Sequence, residues 1–146
     1  MKQAADTTQD RGRSTAAGPM RALRLEDTAP RLATDHPRPD PGPNEALIRT
    51  RKAAVSAIDL ELCRGLFDFT GTLGHEFVGT VESINGDDRP ELVGTRVVGP
   101  PAAVCGRCDM CVTGLSNHCR HKTVLGMQGR DGCLAETYAA VACWNY

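Results

Sequence analysis

No apolar run in this 146-residue chain approaches the roughly 18 residues that a membrane-spanning helix requires. The N-terminal stretch MKQAADTTQDRGRSTAAGP has no apolar core of the kind a secretory leader carries, so the cytoplasm is the expected compartment. Charge of one sign is also lacking. The formal net charge is −1, with acids and bases interspersed, which gives no reason to expect a nucleic acid or an anionic membrane as partner. There is no internal repeat, and no periodic segment supports a helix longer than two turns. The cysteines number seven, and an odd count argues against a fully paired disulfide framework.

What is present suits one domain with a tail. Hydrophobic residues make up 40% and charged residues 24%, close to ordinary globular usage. Residues 1–19 are polar and aperiodic and read as a disordered N-terminal extension, with Met20 a plausible true start and 20–146 the domain. Strands are expected from Met20, over Glu45 to Val55, Gly74 to Ile84, Leu92 to Val98 and Leu134 to Val141. Asp35 to Pro43 holds four of the nine prolines and reads as an extended connection. Asp59 to Arg64 suits a short helical turn stopped by Gly65, and Asn85 to Asp88 suits a turn. Gly79, inside a strand pattern, marks a bulge or a close backbone approach. The class is mainly β, a small barrel or sandwich.

Four of the cysteines fall in residues 101–121 with the spacing C-x2-C-x2-C-x7-C: Cys105, Cys108, Cys111 and Cys119. Two-residue gaps let a tight turn aim two sulfurs at one point, and Gly106 and Gly114 supply backbone freedom for the turns. Zinc in a structural site takes four such ligands. Two disulfides compete poorly in a chain without an export signal. An iron–sulfur cluster of the bacterial ferredoxin type would have its fourth cysteine about three residues on and before proline, not seven residues on and before Arg120. His118 and His121 flank Cys119 and are potential substitute ligands.

In order along the chain stand GHEFVGTVESI (Gly74 to Ile84), GTRV (Gly94 to Val97), the cysteine lobe and GRDGCLAETY (Gly129 to Tyr138). From about Met20 to about Val141 the chain resembles the N-terminal, GroES-like domain of the zinc-dependent medium-chain alcohol and polyol dehydrogenases. The resemblance implies a twisted, partly open β-barrel with a projecting structural zinc lobe and one structural zinc per chain. It also implies a second, catalytic zinc that polarises the substrate oxygen while hydride passes to or from a nicotinamide. The family's ligand positions fall on Ser56 and His75, with Glu76 beside the histidine and Asp59 orienting it from behind. Two departures matter. Ser56 stands where a thiolate is expected, and a neutral hydroxyl is a poor zinc ligand. Ile58 stands where a hydroxyl would relay a proton. Cys63 is too far along, and on another face, to replace the thiolate.

The family's NAD(P)-binding Rossmann domain is not expected here. Gly126, Gly129 and Gly132 do not make a G-x-G-x-x-G, and the third catalytic-zinc ligand has no counterpart. The closing residues, with Cys143, Trp144 and Tyr146, suggest a truncated reading frame. The expected function is therefore a zinc-binding fragment of an alcohol or polyol dehydrogenase-like oxidoreductase, inactive alone, that would use NAD(P) only if another chain supplied the cofactor domain. The alternatives are a non-catalytic zinc-binding interaction module and half of a split dehydrogenase. A separate cofactor-domain chain or a homo-oligomer is the expected partner, with neither nucleic acid nor membrane.

Overall fold

The computed structural model describes residues 18–86 and 89–141. The expected tail lies outside these, apart from Gly18 and Pro19, as do Asp87, Asp88, Cys143, Trp144 and Tyr146.

Three sheets carry the fold. The first is β2 (Ala29–His36), β1 (Met20–Glu26) and β4 (Gly71–Thr72), in that order. The second, at the centre, runs β10 (Thr137–Val141), β3 (Glu45–Ala54), β5 (Glu76–Asn85), β6 (Arg96–Val97), all antiparallel. The third joins β7 (Ala102–Ala103), β8 (Thr123–Leu125) and β9 (Gly129–Arg130). They do not close into one barrel, and no βαβ unit occurs among the described residues. The only helices of α type among them are α1 (Ala57–Cys63) and α2 (Asp109–Val112).

The alternation expected of Glu45 to Val55 and Gly74 to Ile84 is realised in the β3–β5 pair. Ala46 and Ile48 of β3 and Phe77 and Val81 of β5 face one core with Val97, Leu125, Cys133 and Tyr138. Phe77 and Tyr138 meet edge to face, centroids 5.0 Å apart. A smaller core of Leu25, Leu62 and Leu73 seats α1 against the first sheet.

The structure departs from the sequence expectations in three places. Strand β2 was not anticipated, and Asp35 and His36 belong to it, not to the proline-rich connection. Its hairpin turns on Asp27 and Thr28, both with positive φ, so the usual glycine signal is missing. Pro30 within it is tolerated because β2 is an edge strand. The segment Leu92 to Val98 is a 3-10 turn over Pro90–Leu92 and then only two strand residues, interrupted by Gly94 at φ 84. The last strand begins at Thr137, since residues 131–134 instead lie across the backbone of residues 72–74.

Two glycines permit close packing. A Cβ at Gly79 would lie 2.3 Å from Ile48 Cγ2, the close approach its place in a strand suggested. At Gly132 a Cβ would meet the Gly74 carbonyl oxygen at 2.2 Å, a backbone contact that no rotamer change relieves. Gly132→Ala is expected to destabilise the protein by about 2–3 kcal/mol through this overpacking, read as a lowered midpoint in chemical denaturation.

Candidate metal centre

The cysteine lobe is inserted between β7 and β8, which pair antiparallel and hold its two ends together. Gly106 (φ 70) makes the first turn, and Cys108 N–H donates to Cys105 Sγ at 3.4 Å. Helix α2 carries Cys111, Gly114 (φ 82) ends it, and a 3-10 turn over Ser116–His118 brings Cys119 back. The backbone N–H groups of Cys105 and His121 donate to Cys119 Sγ at 3.3 and 3.4 Å. A bidentate ion pair between Arg120 and Asp109, at 2.8 and 2.7 Å, ties the start of α2 to the residue after the fourth cysteine. Arg120 holds the Asp109 carboxyl below its usual range. Neither residue is marked in the sequence by any spacing rule, so this clasp emerges only from the fold.

All four sulfurs lie within 4.8 Å of one another. Cys108 Sγ is 3.6 Å from Cys111 Sγ and 3.9 Å from Cys119 Sγ. A tetrahedron with Zn–S bonds near 2.3 Å has edges of about 3.8 Å, so the spacing fits zinc; a disulfide needs about 2.05 Å. His118 and His121 are exposed and supply no atom to the cluster.

The sulfurs differ in their electrostatics. Backbone N–H groups, foremost that of Arg120, hold the Cys108 thiol down at about 6. The N–H of Cys105 lowers that of Cys119. Burial, and then the neighbouring thiols, push Cys111 up to about 12. Without a cation the four cannot all ionise at neutral pH; a divalent metal relieves that crowding.

The second group of predicted residues is only partly assembled. Ser56 caps α1, its Oγ accepting from Ile58 N at 3.1 Å, while Asp59 Oδ2 accepts from Ser56 N at 2.8 Å: a capping box. Asp59 is 2% exposed, and its Oδ1 accepts from Gly74 N at 3.2 Å and lies 3.7 Å from His75 Nδ1. Ser56 Oγ is 3.3 Å from His75 Nε2. Ser56, Asp59 and His75 thus meet. Glu76 is exposed, on the solvent side of β5, and Cys63 packs on the Leu25, Leu62 and Leu73 core. Cys133, which sequence reasoning passed over, is fully buried beside Gly74, with its thiol donating to Glu76 O at 3.5 Å and pushed up by burial to about 12.

A mainly β fold with an inserted four-cysteine lobe and a histidine backed by a buried aspartate defines a class, and the comparisons with known proteins agree. Residues 42–145 match the alcohol dehydrogenase GroES-like domain, and the chain belongs to that family. L-threonine 3-dehydrogenase of Salmonella typhi is 34% identical over 118 residues, covering 77% of this chain and 34% of that protein. Among solved structures, a cobalt- and zinc-bound thermostable alcohol dehydrogenase from Pyrobaculum aerophilum superposes with a TM-score of 0.75 at 28% identity, over 84% of this chain and 39% of that one. An alcohol dehydrogenase from Escherichia coli CFT073 complexed with NADH gives 0.78 at 26%, over 86% and 37%. The chain spans about a third of the length of the curated relatives it matches.

Cys105→Ala is expected to abolish zinc retention and to lower the thermal midpoint, measured by elemental analysis and calorimetry on the same sample. Acid should do the same. The Cys108 thiol is lowered from its ordinary value of 9.0 to about 6, so its contribution is full above about pH 9 and is lost progressively as pH falls to about 6. Zinc is expected to be released on acidification, as protons compete with the metal for the thiolates, followed with a chromogenic chelator.

Proposed function

We propose that the chain is the zinc-holding, GroES-like portion of an NAD(P)-linked alcohol or polyol dehydrogenase-type oxidoreductase, with one structural zinc on Cys105, Cys108, Cys111 and Cys119. The observation that carries the reading is the sulfur cluster, whose spacing matches a closed tetrahedral site. Bound there, zinc contributes folding free energy to the lobe and leaves no open position for substrate.

The Ser56, His75 and Asp59 group supports the second half of the proposal, that no catalytic zinc is held in the family manner. The Ser56 hydroxyl sits on His75 Nε2, and Asp59 is engaged by the backbone of Ser56 and Gly74. What remains is a histidine with a hydroxyl on Nε2 and a carboxylate 3.7 Å from Nδ1, which itself has no hydrogen-bond partner among the described residues, and no thiolate. Ile58, 40% exposed, offers no group to carry a proton.

Activity in this reading depends on a cofactor domain supplied by a second polypeptide or by a longer form of the chain. Exposed apolar side chains on and around α1, namely Val55, Ile58, Leu60, Leu66 and Phe67, give such a domain a surface to cover. A non-catalytic zinc module is the second reading, favoured by an intact lobe beside an altered second site. No helix among the described residues is long and apolar enough to cross a membrane.

Native mass spectrometry of protein purified without chelator is expected to show one zinc per chain, and the 146-residue chain is expected to show no NAD(P)-linked alcohol oxidation. Two zincs per chain, or turnover by the chain alone, would contradict the proposal. Turnover appearing only on addition of a cofactor-domain polypeptide would favour the split enzyme over the non-catalytic module.

A further inference from the structure

On β5 the alternation sends Phe77, Gly79 and Val81 inward and leaves Val78, Thr80 and Glu82 towards solvent. The facing strand β3 carries an irregularity here. Its register steps from Thr50 opposite Gly79 to Lys52 opposite Val78, which leaves Arg51 as an extra residue. A bulge of this kind re-aims a side chain, and Arg51 Nε donates to Thr80 Oγ1 at 3.0 Å. From the other side β6 places Arg96 opposite Thr80. Arg51, Lys52, Val78, Thr80 and Arg96 together line an open groove of about 420 Å³.

Three cations therefore share one groove without an acid to balance them. Glu82, the next outward residue of β5, is already engaged by both Arg38 and Arg49. Glu76, on the same side of the strand, forms no ion pair with the groove cations. Among the described residues no carboxylate is paired with Arg51, Lys52 or Arg96. Like charges held together by a sheet repel, and an anion of charge −2 placed between them replaces repulsion with attraction. A concave site focuses that field more than a flat surface does. Two guanidinium groups and a hydroxyl offer the forked donors that phosphate oxygens accept, with an ammonium adding a further donor.

We infer that this groove is a binding site for a small phosphate-bearing anion, on a face of the central sheet formed by neither the zinc lobe nor the Ser56, His75 and Asp59 group. The inference does not depend on the oxidoreductase reading, because none of the five residues belongs to either of those sites.

Amide chemical shifts of the zinc-loaded chain, titrated with inorganic phosphate and with pyrophosphate at constant ionic strength, test this. Saturable shifts centred on Arg51, Lys52, Val78, Thr80 and Arg96 are expected, tighter for pyrophosphate and weakening as sodium chloride is raised. Arg51→Gln combined with Arg96→Gln should weaken binding by at least about tenfold, the scale of one lost charge-assisted hydrogen bond. Arg31→Gln, an exposed change on β2, should leave it unaltered. Shifts that never saturate, or binding indifferent to the double variant, would overturn the site. Displacement of pyrophosphate by a short DNA duplex at far lower concentration would overturn the small-anion reading in favour of a nucleic-acid surface.

Discussion

The backbone of Gly74 is the point on which the arrangement of this domain depends. Its N–H donates to the buried carboxylate of Asp59 and its carbonyl accepts from Cys133 N at 3.0 Å. A Cβ built at Gly126 or Gly132 would fall 2.5 or 2.2 Å from Gly74 atoms. Three segments far apart in sequence are thereby held at contact distance: the start of α1, the Gly-His-Glu entry into β5, and the Gly-Arg-Asp-Gly loop before β10. A side chain at any of the three glycines would force them apart. Because His75 directly follows Gly74, its position relative to Ser56 and Asp59 is a consequence of this backbone packing.

The cysteine lobe is built on a different principle. It is an excursion between two short paired strands, with little buried apolar surface of its own: Val112 and Leu115 are exposed, and Cys119 is its buried residue. Its order has to come from local turns, the Asp109–Arg120 clasp and, in the proposed reading, a metal on the four clustered sulfurs. Ser56 itself is well suited to its place, because serine is a favoured residue at a helix N-cap and completes a capping box with Asp59.

The solvent face of the central sheet shows how tertiary structure redistributes charge. Along the chain, the adjacent pair Arg51 and Lys52 lies far from Arg96, with acids and neutral residues between, and the net charge is −1. Pairing β6 with β5, and one extra residue in β3, bring Arg96 beside Arg51 and Lys52, while two other arginines occupy Glu82 next to them. Interspersed charge in sequence is thus compatible with a concentrated charge in space.

The sequence by itself determined the four-cysteine cluster, the mainly β class and the family. Each rests on short-range pattern: four cysteines at ligand spacing, apolar alternation along β3 and β5, and ordered motifs around Gly74 and Gly132. The turn chemistry also made the α1 stop and the Gly79 close approach readable, since both arise from neighbouring residues. Strand β2 was hidden because a positive-φ turn over Asp27 and Thr28 lacks glycine and an edge strand tolerates Pro30. Only the tertiary structure decided that Ser56 rests on His75 Nε2, that Glu76 faces solvent while Cys63 packs in the smaller core, and that Asp109 clasps Arg120. Those outcomes depend on contacts between residues far apart in the chain, whose direction and distance are set by strand register and backbone packing and leave no periodic mark in the sequence.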